Sequence, residues 1–458
     1  MEANRLDQLI ANCEDTTSYP TRLQWTHVLP YTLQRYEDLL NEEALRIFSK
    51  KPEDWKLGFW DIYDRKSELS FSSYNCTSLQ LVGHHLWSSV KEDPACRHVF
   101  IEANHSLAPL NCSREMLTSL LSFHQVMPQF LDIVLSFGAL RGRSVSTAVQ
   151  HCIFQYENFF PHRTNARISQ LGRSGSEIRH CYNLWSVEKS DDGKCPWAIR
   201  QAGLYHSFDI DNGKATWIHV KANDILRKRI EETTMSDKYH LLIDDQNPSR
   251  PGNGSFAAAL ATHLTVFEWC NENWRQYLSH LECRLTEILT KLQETPIQQA
   301  GEALNQINAN NFQRVTQPVS TSSEYTSVAT EIDPFSIFNE IKFDDLQRLY
   351  ILRSKFEEAK MILGMDAGIL TNVVAFYQSY VGSDTSNRSL SVSRFAQRAN
   401  FIIAELRSER ERIAMLISLL ENGKSLFHAI EKFKNMELNR FSSRRVESLA
   451  EEIEQSAR

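Results

Sequence analysis

Apolar residues recur at helical spacing near the start of the chain. From about residue 35 to 50 apolar residues such as Tyr36, Leu40 and Ala44 repeat at helical spacing, which predicts an amphipathic helix. Ser113 followed by Glu115 predicts the start of another helix, because a serine side chain can accept a hydrogen bond from a free amide of the first turn. A further helix is expected after Pro128, and a short strand is expected at 98–103.

The strongest strand signals lie between residues 178 and 220. The segments 178–187, 198–210 and 215–220 are rich in aromatic and branched residues. Turn sequences separate them, Asp-Asp-Gly-Lys at 191–194 and Asn-Gly at 212–213. Three such segments joined by short turns predict an antiparallel meander.

Helical signals resume after this meander. Asn223 is expected to cap a helix over 224–232, and the loop residues of 248–254 predict an irregular connection. From 255 to about 292 the pattern predicts one long helix, because apolar residues follow a heptad repeat. The heptad positions are Leu264, Phe267, Asn271, Trp274, Leu278, Leu281, Leu285, Ile288 and Leu292.

The heptad leaves two interpretations open. Such a seam forms where two chains pair, and it also forms where a helix packs lengthwise inside its own chain. Asn271 is the polar exception in the seam, of the kind that fixes the register of pairing.

The remaining chain divides into a linker and a helical end. Residues 295–340 carry prolines, glutamines, asparagines and a serine and threonine patch, which predicts a polar linker. Residues 341–458 are predicted to be helical and stalk-like, with a polar break at 382–389 and a weak point at Asn422-Gly423. The predicted division is therefore 1–254, 255–294, 295–340 and 341–458. The predicted fold class is α+β: an N-terminal α/β domain with an antiparallel meander sheet flanked by helices, followed by long coiled-coil-like helices.

Composition narrows the function classes. The 458 residues include 57 acidic and 50 basic side chains, a formal charge of −7, which argues against general binding of nucleic acid. Nine cysteines without a CxxC pair predict reduced, mostly buried thiols. The acidic N-terminus lacks the apolar segment of a secretory signal. The apolar stretches 256–264 and 367–377 are too short to span a bilayer, so a cytoplasmic protein without a membrane segment is expected.

Candidate chemistry is sparse. The chain has no phosphate-binding glycine loop, zinc-protease helix or nucleophile-elbow motif, so it is predicted not to be an enzyme. His84 and His85 point to different faces of any regular element. The segment 209–213 fits a hairpin turn better than a calcium loop. No catalytic or cofactor-binding residue is predicted, and the metal ligands are not assignable.

The charged clusters of the chain also have ordinary structural explanations. The aspartate pairs at 191–192, 244–245 and 344–345 are more typical of turns and helix starts than of cation sites. Six arginines between 141 and 179 predict a mobile, solvated connection, with contact to phosphate or an acidic partner as the alternative.

Three segments carry a family resemblance. These are SLAPLNCSREMLTSLLSFHQVMPQFLDIVLSFG at 106–138, SEIRHCYNLWSVEK at 176–189 and YHSFDIDNGKATWIHVKAN at 205–223. Together they resemble the CorA-like, magnesium-transporter-like domain found in many fungal proteins, continuously from about 76 to 220. The resemblance implies a cytosolic α/β domain, then long stalk helices leading to two membrane helices. In bacterial CorA that assembly is a homopentamer that passes Mg²⁺, with a Gly-Met-Asn signature at the first membrane helix.

The chain departs from that pattern in its second half. Gly364-Met365-Asp366 resembles the signature only superficially, because it lies within an amphipathic soluble segment. The sequence ends in a charged helix, so the expectation is a family member without the membrane helices, or one whose membrane part lies outside this sequence.

These observations give two functional hypotheses. The leading one is a soluble cytosolic domain of a CorA-like divalent-cation (Mg²⁺) transporter-family protein, regulatory or transport-derived and not itself a pore. It includes a homo-oligomer formed through the long helices, Mg²⁺ held by carboxylates at subunit interfaces, and a membrane-embedded partner or missing C-terminal membrane helices. The alternative is a soluble helical interaction or scaffold protein that keeps the fold without ion transport.

Overall fold

A computed structural model describes most of the chain. The described residues are 3–65, 68–88, 92–105, 108–138, 153–159, 167–190, 195–235, 251–294, 341–381 and 387–457. They form two compact units, one of residues 1–275 with 361–409 and the other of residues 276–360 with 410–458. Several predicted features lie outside the described residues: the linker at 295–340, the turn at 191–194, the aspartate pairs at 191–192 and 244–245, and the break at 382–386.

The first unit begins with helices that cover one face of a sheet. They are α1 (Ala3–Glu14), α2 (Pro30–Ile47), α3 (Leu79–Gly83), α4 (Arg114–Phe123) and α5 (Phe130–Val134). The predicted helix near residues 35–50 is confirmed as α2, whereas α1 was not predicted. The Ser113 hydroxyl accepts a hydrogen bond from the Met116 amide at 3.2 Å, which confirms the predicted cap of α4.

A seven-stranded sheet forms the centre of this unit. Its strands are β1 (Leu57–Arg65), β2 (Glu68–Cys76), β3 (Cys96–Ala103), β4 (Phe154–Phe159), β5 (Glu177–Lys189), β6 (Trp197–Asp209) and β7 (Ala215–Ala222). Their order is β2-β1-β3-β7-β6-β5-β4. The predicted meander is confirmed as β5-β6-β7, and the predicted strand at 98–103 is confirmed as β3. The sheet is larger than predicted and mixed, because β3 pairs in parallel with β7.

The arginine-rich stretch does not behave as a solvated connection where it is described. It contains β4, which pairs with β5. Arg173 and Arg179 are buried and donate to the carboxylates of Asp93 and Glu177. That part of the prediction was therefore wrong, because nearby carboxylates neutralise the guanidinium groups and let them be buried.

The helices after the sheet begin and end differently from the prediction. They are α6 (Ile225–Met235), α7 (Pro251–Asn271) and α8 (Trp274–Glu294). The Ile225 amide donates to the Asn223 side chain at 3.2 Å, which confirms the predicted capping residue. A helix already begins at Pro251. The prediction that an irregular loop extends to residue 254 was therefore wrong for its last four residues.

The long helix predicted from 255 to 292 is two helices. The chain breaks at Asn273, whose φ of 62° lies in the left-handed region, which asparagine tolerates. Its side-chain amide donates to the Val187 carbonyl at 2.8 Å, which holds the break against β5. The apolar heptad positions on both helices are nevertheless buried within the chain. The seam therefore serves intramolecular packing, and Asn271 donates to Glu405 at 2.5 Å.

The described part of residues 341–458 is helical, as predicted. It consists of α9 (Phe343–Val381) and α10 (Asn387–Ala457). The predicted weak point at Gly423 does not break α10. A Cβ atom at this position would collide with the Leu289 side chain, so glycine allows a close approach of the two helices. The Lys342 amide donates to Asp345 at 3.2 Å, which supports the reading of the 344–345 pair as a helix start.

One helix of the described chain meets the length and composition criteria for a membrane span. It covers Phe343–Tyr380, and 56% of its most apolar window is buried inside the protein. This is weak evidence for a membrane segment, because the core helix of a soluble protein passes the same test. The expectation that the chain has no membrane segment therefore stays a prediction.

The described cysteines are all free. Five of the eight are buried, namely Cys13, Cys76, Cys112, Cys181 and Cys270. The prediction that the thiols are mostly buried is confirmed for the described cysteines, and their reduced state stays a prediction.

Candidate functional site: a buried histidine cluster

One face of the sheet carries a row of aromatic and imidazole side chains. Strand pairing places six residues directly side by side across six strands, in the order Tyr156, His180, His206, Trp217, His98 and Trp60. Directly paired residues project to the same face of a sheet, so this register alone brings three distant histidines onto one surface.

Helix α7 completes a cluster above this row. One ring nitrogen from each of His180, His206 and His263 lies within 4.8 Å of the other two. The Nε2 atoms of His180 and His263 are 3.2 Å apart. All three side chains are fully buried. Among the residues that the structure describes, no other group of three or more histidine, cysteine or acidic side chains has this geometry.

Two tyrosines orient His263. The hydroxyl of Tyr182 lies 2.7 Å from His263 Nδ1. The hydroxyl of Tyr377, on α9, lies 3.0 Å from His263 Nε2 and 3.3 Å from His206 Nδ1. A phenol can donate or accept, so these contacts are compatible with either neutral tautomer of His263.

A second histidine pair lies next to this cluster on the same face. His98 Nδ1 and His219 Nε2 are 3.2 Å apart, and both residues are buried. The thiol of Cys96 lies 3.4 Å from His98 Nε2. The sheet therefore carries four neighbouring buried imidazoles, but His98 and His219 do not join the three-nitrogen group.

Aromatic rings enclose the cluster. The indole of Trp217 stacks on His206 with ring centroids 4.0 Å apart, and it also meets His263 edge-on at 4.7 Å. The ring centroid of Phe376 lies 5.3 Å from that of His180, and the ring centroid of Phe395 lies 6.2 Å from that of His263. These rings keep bulk water away and hold the imidazoles in a medium of low polarity.

Burial keeps the histidines neutral. It lowers the pKa of His180 and the pKa of His98 to about 3. It also holds the pKa values of His206, His219 and His263 well below the ordinary value, and repulsion from neighbouring imidazoles adds to the effect. The ring nitrogens therefore keep lone pairs that are available to an electrophile at neutral pH.

The geometry suits a metal ion that prefers nitrogen. A four-coordinate ion with Zn–N bonds of about 2.0–2.1 Å separates its ligand atoms by roughly 3.3 Å, close to the distance between His180 and His263. His206 Nε2 has no hydrogen-bond partner among the described residues, so this buried nitrogen is uncommitted. If an ion bound His263 Nε2, Nδ1–H would donate to the Tyr182 oxygen, the kind of outer contact that orients ligating histidines.

Sequence reasoning named no metal ligand, and it missed this cluster. A signal was present, because His98, His180, His206 and His219 all fall on strands that were predicted. In each strand the histidine shares its face with aromatic or aliphatic residues, such as Tyr182, Phe208 and Trp217. A histidine at an inward position of a strand is most often a core residue. The histidines therefore indicated a cluster only once the pairing of the strands was known.

The candidates that the sequence did single out lie elsewhere. His85 Nε2 lies within hydrogen-bond distance of an Asp61 carboxylate oxygen, at 3.1 Å, so it contacts Asp61 and does not form a joint site with His84. Asp209 accepts from the amides of Asp211 and Asn212, which confirms the hairpin turn at 209–213.

The Gly-Met-Asp segment at 364–366 is part of α9. Asp366 is fully buried against Cys270 and the Trp185 amide, and burial holds the pKa of its carboxyl well above the ordinary value. A neutral buried carboxyl in this position fits the sequence-based rejection of an ion filter here.

The fold defines an α+β protein in which a mixed sheet, covered by helices on both faces, is combined with long helices. The family model for CorA-like transporters matches residues 11–293, more than half of the chain. The chain therefore belongs to the CorA-like transporter family. The matched residues of this chain include all seven strands and the three clustered histidines, whereas Tyr377 lies beyond them.

Two other comparisons add little. No curated protein matches the chain. The crystal structure of the ZntB cytoplasmic domain from Vibrio parahaemolyticus RIMD 2210633 is 11% identical, with 79% of this chain and 97% of that chain covered and a TM-score of 0.32. At that score and identity the likeness supports no argument about this chain.

Proposed function

We propose that this chain is a cation-responsive cytosolic domain of the CorA-like transporter family, regulatory or derived from transport. The observation that carries the proposal is the three-histidine cluster of His180, His206 and His263. An ion bound there would tie α7, which supplies His263, to the sheet strands that supply the other two histidines. Binding would thereby stabilise one packing of the helix on the sheet. No enzymatic activity is part of the proposal.

The donor set selects the class of ion. Neutral imidazoles suit Zn²⁺, Co²⁺, Ni²⁺ and Cu²⁺, whereas Mg²⁺ takes oxygen ligands and keeps several waters. We therefore assign this buried site to a zinc-like divalent cation. The Mg²⁺ suggested by the family resemblance would need carboxylates at a surface or between subunits, and it remains a separate proposal.

Self-association is the second part of the proposal. The last part of α10 exposes Val446, Leu449 and Ile453, which are three and four residues apart and therefore share one face. Since the predicted heptad seam is buried, this row is the better candidate for contacts between chains. The same row would serve the alternative function, a scaffold that holds a different helical partner. The particle mass of the purified chain distinguishes these two functions, because self-association gives a mass above that of one chain whereas a scaffold without its partner gives the mass of one chain.

The metal proposal is tested with the full chain after treatment with a chelator. Zn²⁺ is expected to raise the melting temperature with a stoichiometry of one ion per chain, and Mg²⁺ at the same concentration is expected not to. Co²⁺ is expected to produce the visible absorption of a four-coordinate site. His263→Gln should abolish both effects, whereas Tyr182→Phe should weaken binding by about 10- to 100-fold through the lost outer contact.

Matched controls keep the test specific. His219→Gln changes an equally buried histidine outside the three-nitrogen group, and His428→Gln changes an exposed one on α10. Both variants should keep the Co²⁺ spectrum. Loss of the spectrum in His219→Gln, with the fold intact by circular dichroism, would contradict the assignment. So would a wild-type chain that binds no Zn²⁺.

A further inference from the structure

A small polar cavity lies on the other face of the sheet, away from the histidine cluster. It encloses about 30 Å³ near the start of β3 and the end of α4. Arg97 and Arg173 line it together with His124, and these three residues are no more than 9% exposed. The cavity is independent of the proposed cation site, because it shares no residue with it.

Each of the two arginines donates hydrogen bonds through two of its three guanidinium nitrogens. Arg97 donates through Nε and Nη2 to both oxygens of Asp61, at 2.9 and 2.8 Å. Arg173 donates through Nε to Asp93 at 2.6 Å and through Nη1 to the Phe123 carbonyl at 2.7 Å. Arg97 Nη1 and Arg173 Nη2 have no hydrogen-bond partner among the described residues.

A histidine that lines the cavity supplies a third nitrogen of this kind. His124 Nε2 also lacks a hydrogen-bond partner among the described residues. Burial and the positive charges of Arg97 and Arg173 hold the pKa of His124 well below its ordinary value, so the imidazole is neutral and one ring nitrogen carries a proton. With Nε2 as the protonated nitrogen, the cavity offers three donors without an acceptor.

The carboxylates beside the cavity already have partners. Asp93 accepts from Arg173, and one of its oxygens lies 3.8 Å from Arg97 Nη1, beyond hydrogen-bond distance. Asp209 accepts from Ser174 and from two backbone amides of its own turn. Glu177 accepts from Arg179 at 2.8 Å. The uncommitted hydrogen-bonding capacity is therefore of the donor kind.

An anion satisfies such donors better than a neutral molecule. An unpartnered buried donor is costly, and hydrogen bonds from a charged guanidinium to an ion are stronger than those between neutral groups. The volume sets the size, since one water needs roughly 10–15 Å³ and the cavity holds only about two such spheres. The nearby carboxylates disfavour a multiply charged ligand. We propose that the cavity binds one small monovalent inorganic anion, held by Arg97, Arg173 and His124.

The anion proposal is tested by thermal unfolding of the full chain in chloride. Sodium chloride replaces sodium gluconate at constant ionic strength, and the melting temperature is expected to rise by about 2–4 °C and then saturate. Phosphate should not reproduce the rise. Arg173→Lys keeps a positive charge for Asp93 but removes Nη2, so it should remove the chloride effect. Arg229→Lys changes a guanidinium that binds Glu272 away from the cavity, and it should retain the effect.

Two further measurements keep the proposal falsifiable. His124→Leu removes the third nitrogen without deleting a charge, so it serves if Arg173→Lys fails to fold, and it should weaken the chloride effect. Diffraction from a crystal soaked in sodium bromide should show an anomalous peak within hydrogen-bond distance of Arg97 Nη1 and Arg173 Nη2. Equal melting temperatures in chloride and gluconate, or a cavity that contains only water, would overturn the proposal.

Discussion

The neutral histidines predict a steep loss of stability in mild acid. His98 and His180 have an ordinary pKa of 6.5 and a pKa of about 3 in the folded protein, because burial disfavours the imidazolium form. The unfolded chain therefore takes up protons below about pH 6.5, whereas the folded chain does so only near pH 3. The stability that the folded protein gains while His98 and His180 are neutral is complete above about pH 6.5, and it is lost as the pH falls toward about 3.

The magnitude follows from the same pKa values. At about pH 5 each of these two histidines lowers the free energy of unfolding by about 2 kcal/mol, so the pair lowers it by about 4 kcal/mol. The groups that face them are themselves uncharged at this pH: the neutral imidazoles of His206, His219 and His263, two phenols and the Cys96 thiol. Asp61 is the charged neighbour of His98, and its pKa is held below the ordinary value by Arg97, so it does not titrate between pH 5 and 7.

Urea unfolding with chelator present, at about pH 7.5 and about pH 5, measures this loss directly. The double variant His98→Gln/His180→Gln should reduce the difference between the two pH values by about 4 kcal/mol. His428→Gln changes an exposed histidine and should leave the difference unchanged. If the wild-type free energy of unfolding is the same at both pH values, the buried histidines are not held neutral as described.

Two other predictions concern a buried ion pair and the chain's assembly. Asp61→Asn removes the carboxylate that accepts both close hydrogen bonds from the buried Arg97 guanidinium and leaves only the longer 3.8 Å contact with Asp93, so the free energy of unfolding should fall by about 3–5 kcal/mol in urea titrations; a loss below about 1 kcal/mol would show that the pair is solvated. Replacing Val446, Leu449 and Ile453 together with glutamine should reduce the particle mass measured by light scattering without lowering the melting temperature. An unchanged mass would remove this row from the account of self-association.

Much of the fold could be predicted from local pattern. The meander β5-β6-β7 followed from branched and aromatic residues separated by turn sequences, and the cap of α4 followed from Ser113. The edge strand β2 was missed because Glu68–Cys76 is largely polar and exposed, so it lacks an apolar alternation. β4 was missed because it lies inside a stretch whose arginines suggested a solvated loop.

The break between α7 and α8 could not be predicted from the heptad pattern. The heptad continues through it, since a left-handed residue at Asn273 redirects the helix without exposing the apolar seam. Periodicity reports which residues are buried, and it does not report whether one helix or two bury them. The local signal was Asn273, for which nothing was predicted from the sequence; only Asn271 was interpreted, as a residue that fixes register.

The histidine cluster lay beyond any reading of local pattern. His180, His206 and His263 are separated by 26 and 57 residues, and each alone is typical of a core position. Only the register of β5 with β6 and the placement of α7 bring their nitrogens together. The buried arginines behind the anion proposal were hidden for the same reason, because their carboxylate partners come from distant parts of the chain.

Zinc K-edge X-ray absorption on the full chain tests the central claim most directly. After dialysis against Zn²⁺ and removal of excess ion, the account predicts a first shell that includes three imidazole nitrogens at about 2.0–2.1 Å, and its loss in His263→Gln. A first shell made of oxygen atoms, or a chain that retains no zinc, would contradict the claim that His180, His206 and His263 form a cation site.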